Sequence, residues 1–387
     1  MKHDNGSTGL NLERLAHLKS VIEQDIERKT YDGAVIVVSR QGQIGLHEAI
    51  GYADRASNTT MRKDHVFSIF STTKALTNVL TFRCIERGLF ALTTSVSDII
   101  PEFSGRGREK ITIYHLLTHM SGLPSVLTPK EGMYIDRLDE IIAALCENVF
   151  PTEPPGQHVA YSPMCNHALL GEACRRVDEK KRSYRDIVHE DLFGPLGMKD
   201  SSIGVRKDLR SRKIVPVFLD PFPFDHRGRS DTKRDSAFEE QDSEMPWVGS
   251  ISTASDFHRF ADMLRRGGEF EGERLVSPAL LDKATRNQTG DKPNELYKGL
   301  MSQQGWEPCP AYIGIGFMLR GEEVCHHHFG TLTSPRTFGN FGAGSSLFWV
   351  DPERQMTFVC FTAGVMNEAR NIERFQKLSD IAVSAAI

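Results

Sequence analysis

Strand-like segments lie near both ends of this chain, and helix-like segments fill the stretch between them. Helical spacing of apolar residues predicts one helix over residues 12–26 and a closing helix from Glu368 to Ala386. Apolar patterns bounded by turn residues predict five strands, over residues 33–39, 43–53, 311–321, 345–350 and 356–364. This order predicts an α+β fold in which both ends of the chain build one antiparallel sheet, flanked by helices and packed beside a helical domain.

The middle of the chain divides into a helical block and a long connection. The helical pattern begins at Ser71 and runs, with glycine- and proline-containing breaks, to about residue 200. Residues 204–246 have mixed charge and no periodicity, which is typical of a long connection. This connection could form a lid, but the pattern favours a plain surface loop. We therefore predict a discontinuous sheet domain, 1–70 and 247–387, and a helix-rich domain, 71–246. The cleft between them is the expected ligand site.

The charge balance excludes several classes of partner. A formal net charge of -4 gives no electrostatic reason to bind nucleic acid or an anionic membrane. The chain has no signal-like apolar region near its start, and no run of about 18 apolar residues that could span a membrane. We predict a cytoplasmic protein that acts on a small molecule, and self-association into a homo-oligomer stays open.

Cysteine and histidine patterns do not predict a metal site or any other cofactor. The seven cysteines are odd in number and lack CxxC spacing, which is typical of reduced core thiols. Three consecutive histidines, His326, His327 and His328, have no carboxylate or cysteine at ligand spacing, so we do not predict a metal site there.

A Ser-x-x-Lys pattern occurs twice, and only its context separates the copies. Ser71 and Lys74 stand at the start of a predicted core helix, whereas Ser230 and Lys233 lie in the charged connection. Residues three apart share one face of a helix, so a buried Lys74 could act as the base for Ser71. The alternative is that Ser71 only caps the helix while Lys74 points to solvent.

The order of several segments adds a family resemblance. The chain resembles the beta-lactamase-related serine hydrolases, which include class C beta-lactamases, DD-peptidases of penicillin-binding type, family VIII carboxylesterases and related acyltransferases. That resemblance implies a beta-lactamase/transpeptidase-like fold over roughly residues 30 to 370. It rests on the segments FSIFSTTKALTNVL, ITIYHLLTHMSGLPS, PPGQHVAYSPMCNHALLGEACRRV, DLFGPLGMKDSSI, WVGSISTASDFHRFADMLRRGG and FGNFGAGSSLFWVDPERQMTFVCFT.

The resemblance assigns a role to three residues. Ser71 matches the family nucleophile, and Lys74 matches the lysine that takes its proton. Tyr161, in Tyr-Ser-Pro, matches the tyrosine that works with this lysine and returns the proton to the leaving group. Burial and mutual charge are expected to lower the pKa values of both Lys74 and Tyr161. Without the family, Tyr161 would be a structural aromatic residue after a Pro-Pro-Gly turn.

A third family element matches Asn340, Phe341 and Gly342, which we expect to contact substrate. The N–H of Ala343 would join the N–H of Ser71 as an oxyanion hole; alternatively, the glycines of this stretch only bend an irregular strand.

Two departures from the family pattern bear on the substrate. Many members have asparagine where this chain has Pro163, and beta-lactamases have lysine where it has Asn340. We therefore predict weak beta-lactamase activity. His119 is expected to have a structural hydrogen-bonding role. Aromatic residues weighed as the wall of an acyl pocket, each equally suited to plain packing, are Phe222, Phe224, Trp247, Trp306 and Phe341.

These features predict a serine hydrolase that cleaves a small carboxylic ester through an acyl-enzyme on Ser71. An acyltransferase would use the same intermediate, and a beta-lactamase or DD-peptidase would use the same residues. A non-catalytic binding protein on the same scaffold is a weaker alternative, because it has no need of an activated base.

Overall fold

A computed structural model of the protein describes residues 8–221 and 236–387. Its strands are β1 Gly33–Arg40, β2 Gln43–Asp54, β3 Thr59–Thr60, β4 Phe67–Ser68, β5 Ser202–Ile203, β6 Ser250–Ser252, β7 Glu269–Phe270, β8 Glu273–Arg274, β9 Met318–Leu319, β10 Phe338–Gly342, β11 Ser346–Asp351 and β12 Met356–Ala363. Its α-helices are α1 Leu12–Glu27, α2 Thr73–Glu86, α3 Val96–Ile99, α4 Ile113–Leu117, α5 Leu138–Asn148, α6 Cys165–Arg176, α7 Tyr184–Val188, α8 Ala254–Arg265, α9 Pro278–Ala284, α10 Glu295–Gln304 and α11 Glu368–Val383.

The main sheet joins the two ends of the chain, as predicted. Its strand order is β3-β2-β1-β12-β11-β10-β9, and neighbouring strands are antiparallel. β1 pairs along its whole length with β12, from Gly33 opposite Ala363 to Arg40 opposite Met356. The early hairpin and the late hairpin therefore form one continuous surface, and the sheet is central to the α+β fold.

Helices cover both faces of this sheet. α1 and α11 pack together on one face, where Leu18 and Phe375 join strand residues such as Trp349 in one apolar cluster. On the other face, the ring of Phe257 from α8 lies 5.1 Å from Phe348 and 5.7 Å from Phe361. Burial on both faces explains why β11 and β12 are continuous apolar runs rather than alternating ones.

The helix α2 is buried almost all round. Its residues from Thr73 to Phe82 are all buried, and it packs against α6. Gly88 ends it in the left-handed conformation, at φ 71°, and Leu89 N–H bonds to the carbonyl of Cys84, as in a Schellman cap. The helix lies in the core, so the residues at its start are fixed against several other elements. None of the described helices is both long and apolar enough to cross a membrane.

The predicted strand over residues 311–321 is mostly absent. Only Met318–Leu319 joins the sheet, because the preceding residues satisfy their N–H groups elsewhere. Ile315 donates to the carbonyl of Ala284, and Gly316, at φ 83°, donates to Leu117. A glycine-containing turn therefore replaces most of the strand.

The prediction of seven reduced cysteines was wrong for two of them. Cys309 and Cys325 form a disulfide, with their Cα atoms 6.2 Å apart. The bond joins two loop segments, and the two cysteines are 16 residues apart in sequence. The pairing was missed because it depends on how these loops pack, which no local sequence motif indicates. The other five cysteines are free thiols, and four of them are buried.

The connection over residues 204–246 is partly described. Its first part runs beside the sheet and the small β4-β6-β5 sheet, where Ile214 N–H bonds to Val66 and Leu219 N–H bonds to Val365. Residues 222–235 lie outside the described residues. The second Ser-x-x-Lys copy and the aromatic residues Phe222 and Phe224 fall in that stretch, so those predictions stay untested.

Candidate active site

Ser71 lies in a single 3₁₀ turn, Phe70–Thr72, immediately before α2. Phe70 has φ 46°, a conformation that L residues rarely adopt, so the backbone is strained beside the serine. The turn is tied to β11, because Ser346 Oγ lies 2.9 Å from Thr72 Oγ1 and donates to the carbonyl of Ile69 at 2.6 Å. These contacts hold the backbone on both sides of Ser71 at the start of α2.

Lys74 is buried and surrounded by three oxygen atoms. Its Nζ lies 3.0 Å from Ser71 Oγ, 2.9 Å from the carbonyl of Pro163 and 3.1 Å from the carbonyl of Trp247. The side chain is 1% exposed, and burial holds the pKa of Lys74 well below its usual 10.5. A neutral amine has two N–H donors for the two carbonyls and one lone pair for the Ser71 hydroxyl proton. The geometry suits a general base, and the alternative of a lysine in solvent is wrong.

Tyr161 lies close to both Ser71 and Lys74. Its ring centroid is 5.2 Å from Lys74 Nζ, and its backbone N–H bonds to the Asn294 side chain at 3.0 Å. The expected lowering of its pKa was wrong in direction. Burial raises the pKa of Tyr161, because the phenolate is the charged form, and a hydrogen bond with the Ser71 side chain offsets only part of the rise. Tyr161 is therefore a neutral phenol that can donate a proton.

His119 holds the Tyr161 loop in place. Its Nδ1 accepts the backbone N–H of Ser162 at 3.0 Å, and its ring lies 4.8 Å from the Tyr161 ring. Burial, together with the nearby Lys74, lowers the pKa of His119 to about 3, so the ring stays neutral. The structural hydrogen-bonding role expected for His119 is confirmed.

β10 passes unusually close to Ser71. A Cβ atom added to Gly342 would lie 2.5 Å from the carbonyl of Ile69 and 2.9 Å from Ser71 N, so only glycine fits there. The next residue, Ala343, has φ 33° and lies in the wall of the cavity that also contains Ser71. In residues 8–221 and 236–387, neither the N–H of Ser71 nor that of Ala343 donates a hydrogen bond within the protein. Both donors remain available to a ligand oxygen.

The other two residues of the predicted β10 element behave differently. Phe341 lies in the wall of the cavity. Asn340 is 5% exposed and lies behind that wall; in the described part of the chain, its side-chain oxygen has no hydrogen-bond partner. A contact between Asn340 and substrate stays a prediction.

The cavity in front of Ser71 has a volume of about 340 Å³. Its wall is mainly apolar and includes Trp247 and Phe341, two of the aromatic residues weighed from the sequence as the wall of an acyl pocket. Trp306 does not line this cavity; its ring stacks on His326 at 4.0 Å. The residues that line the cavity are Phe70, Ser71, Leu127, Tyr161, Pro163, Met164, Asp220, Pro221, Trp247, Val248, Tyr297, Phe341, Ala343, Val365, Met366, Asn367 and Glu368.

Sequence reasoning missed Glu368 and Tyr297 in this wall. Tyr297 donates its hydroxyl to Glu368 Oε1 at 3.1 Å, and His328 Nε2 lies 3.1 Å from the same oxygen. Burial alone would raise the pKa of Glu368, but the charge and hydrogen bond of His328 and the hydroxyl of Tyr297 outweigh it, and the pKa is lowered. Glu368 showed in the sequence only as the start of a helix, and its partners lie far away along the chain.

One histidine of the three, His328, pairs with this carboxylate. His328 lies against Glu368 and stacks on Phe341, with ring centroids 3.5 Å apart. Among the described residues, no group of three or more histidine, cysteine, aspartate or glutamate side chains is arranged to hold a metal ion.

Comparison with known proteins identifies the family. A profile of the beta-lactamase family matches residues 18–382. The chain belongs to the beta-lactamase family. It is 39% identical to the esterase EstB of Burkholderia gladioli over 300 residues, which are 70% of this chain and 74% of EstB. Membership of this family and the similarity to EstB together show that the chain is a serine hydrolase.

Solved structures agree on the fold of this beta-lactamase family member. A penicillin-binding protein homologue from Caulobacter crescentus superposes with a TM-score of 0.76 at 24% identity, over 98% of this chain and 99% of the homologue. EstCE1, described as a hydrolase with promiscuous acyltransferase activity, superposes with a TM-score of 0.75 at 19% identity, over 95% of this chain and 99% of EstCE1. Identities this low establish the beta-lactamase/transpeptidase-like fold alone.

Proposed function

We propose that the protein is a serine carboxylesterase that cleaves a small, neutral ester through an acyl-enzyme on Ser71. The observation that carries this proposal is the environment of Lys74, whose amine faces two carbonyl groups and the Ser71 hydroxyl without a carboxylate among the described residues. Because burial disfavours the charged form, a lysine held in this way can act as a base rather than as a fixed positive charge.

The acyl-enzyme forms in two stages, addition of Ser71 to the ester carbonyl and then loss of the alcohol. Ser71 Oγ bonds to the ester carbonyl carbon as its proton passes to Lys74 Nζ. The N–H groups of Ser71 and Ala343 stabilise the negative oxygen that develops. The bond to the alcohol oxygen then breaks, Tyr161 gives the leaving alcohol its proton, and Lys74 returns a proton to Tyr161. Water repeats these steps in reverse and releases the acid.

The cavity favours a substrate without negative charge. In the described residues its wall includes two carboxylates, Asp220 and Glu368, and no lysine, arginine or histidine. A penicillin-like ligand carries a carboxylate, and this wall offers it no cationic side chain, because the partners of the two wall carboxylates, Arg370 and His328, do not line the cavity. Pro163 adds to this preference, because its carbonyl holds Lys74 and it has no N–H or side-chain donor for an amide. We therefore expect kcat/KM for p-nitrophenyl butyrate to exceed that for nitrocefin by at least about a hundredfold.

Intact-mass measurement tests the proposal most directly. Exposure to an alkyl p-nitrophenyl phosphonate should add one phosphonyl group to the wild-type protein and none to Ser71→Ala. Peptide mapping should place the adduct on Ser71. A folded wild-type protein without an adduct, and without turnover of p-nitrophenyl esters, would instead support a non-catalytic binding protein.

Acyl transfer differs only in the acceptor that attacks the acyl-enzyme. An alcohol bound beside Tyr161 would be deprotonated by the same residues that activate water. Product analysis of an ester incubated with and without a primary alcohol separates the two, because transfer gives a new ester and hydrolysis gives only the acid.

A further inference from the structure

A second, smaller cavity adjoins the catalytic cavity. Its volume is about 50 Å³, and two side chains, Phe341 and Tyr297, line both cavities. Most of its remaining wall is apolar and includes Met301, Ala311 and Ile372. Ser71, Tyr161 and Ala343 line the catalytic cavity and not this second one.

The wall between the two cavities is held by a network of side chains. The Phe341 ring stacks on His328, with an interplanar angle of 14°. His328 and the Tyr297 hydroxyl both contact Glu368 Oε1 at 3.1 Å. Because these contacts restrain both dividing side chains, the shape of the wall is defined rather than left to free rotation.

The position of Tyr297 shows which part of an ester would face this wall. Its ring lies 6.3 Å from the ring of Tyr161, and Tyr161 is the group that protonates the leaving alcohol in the proposed reaction. A group that lies against Tyr297 is therefore on the alcohol side of the scissile bond.

We propose that the cavity behind Phe341 and Tyr297 binds the end of the alcohol portion of the ester, and that these two side chains set the length of alcohol accepted. This inference rests on the proposed esterase function. A volume of about 50 Å³ holds about three to five water-sized atoms. The apolar wall and this size fit an unbranched alcohol of about four carbons.

Truncation of Phe341, one of the two side chains between the cavities, tests the assignment of the second cavity to the alcohol portion. Phe341→Ala joins the two cavities, so kcat/KM for hexyl and octyl butyrate should rise relative to methyl butyrate by about tenfold. The same variant should leave the relative rates of p-nitrophenyl acetate, butyrate and hexanoate within about twofold, because those esters differ only in the acyl group. A shift in the acyl series instead would overturn the assignment to the alcohol side.

Filling the second cavity gives the opposite change. Ala311 lines this cavity but not the catalytic one. Ala311→Leu should lower kcat/KM for butyl butyrate about tenfold and leave methyl butyrate nearly unchanged. Met301→Phe, on α10, is a second filling variant should Ala311→Leu fail to fold. A ratio of butyl to methyl butyrate kcat/KM that stays the same in a folded filling variant as in the wild type would contradict the inference.

A binding experiment separates this inference from the esterase proposal. Saturation-transfer NMR of butyl butyrate with the Ser71→Ala variant requires no turnover. We expect strong transfer to the terminal methyl of the butoxy group, and weaker transfer once Ala311→Leu is added. Absence of that difference overturns the alcohol site even if the enzyme is an esterase. Its presence in a protein that forms no acyl-enzyme supports the site and overturns only the esterase.

Discussion

Two lysines are buried among the described residues, and their surroundings differ in kind. Lys213, 5% exposed, forms an ion pair with Glu239 and donates to the carbonyl of Ile214 at 2.9 Å. Lys74, 1% exposed, has the neutral oxygens of Ser71, Pro163 and Trp247 as its hydrogen-bond partners in the described part of the chain. An adjacent carboxylate stabilises the charged form of a buried lysine. Neutral oxygens stabilise it less than the water that burial removes, so the neutral amine is favoured. The fold thus contains a lysine that is paired with a carboxylate, called here the structural lysine, and a lysine whose surroundings suit a base.

The largest expected effect comes from the two lysines themselves. Lys74→Met should lower kcat/KM by three to four orders of magnitude, about the full contribution of a general base. Its effect on stability should come from the two carbonyls that lose their donor, Pro163 and Trp247, and not from a broken ion pair. Steady-state kinetics with p-nitrophenyl butyrate and urea unfolding measure both effects. Lys213→Met is the matched control, with activity near that of the wild type. A reversed result, with Lys213 needed for turnover, would contradict the comparison.

Removal of the carboxylate tests the structural lysine. Glu239→Gln removes a carboxylate that pairs with the buried Lys213, so the free energy of unfolding should fall by about 3 kcal/mol. The esterase rate should stay within about twofold, because neither residue lines the catalytic cavity. Urea unfolding at pH 7 checks the first expectation and initial rates check the second. Unchanged stability would mean that this ion pair does little for the fold.

Tyr161 tests whether Lys74 acts alone. Tyr161→Phe should lower kcat for alkyl esters about a hundredfold, because the leaving alcohol loses its proton donor. The double variant with Lys74→Met should lose little more than Lys74→Met alone, as expected for two residues of one proton relay. If the increases in activation free energy of the two single variants add up in the double variant, the two residues act independently and not as one relay. Since burial raises the pKa of Tyr161, the wild-type rate should also show no alkaline decline up to about pH 10 that depends on this residue.

The smallest effect is a pH-dependent contribution of Lys74 to stability. Unfolded Lys74 binds a proton up to about pH 10.5, whereas the buried amine releases it at a lower pH. Between these two pKa values the unfolded state binds more protons, so stability rises with pH by up to about 1.4 kcal/mol per pH unit. Unfolding of wild type and Lys74→Met at pH 7 and pH 9 measures this as a difference. A constant difference would mean that the pKa of Lys74 is not lowered in that range.

The sequence predicted the groups that share a short motif or a repeating pattern. Ser71 and Lys74 are three residues apart at the start of a core helix that the sequence predicted, and the β1 and β12 patterns predicted a sheet shared by both ends. The role of Tyr161 came from family resemblance, and the direction of its pKa shift required knowledge of its burial. Glu368, Tyr297 and the Cys309–Cys325 disulfide were missed, because each depends on contacts between loops or helix ends that no periodicity records.

The pairing of β1 with β12 has a consequence for how the chain folds. The hydrogen bond between Ser39 and Thr357 joins residues 318 positions apart, and β12 lies between the early hairpin and β11. While the chain emerges from the ribosome, the early hairpin has no neighbour on that side until β12 appears. Contacts this distant in sequence form slowly, and the apolar face of the waiting hairpin is exposed meanwhile. Chaperone demand during synthesis should therefore centre on β1 and β2, and fragments that lack β12 should aggregate rather than fold.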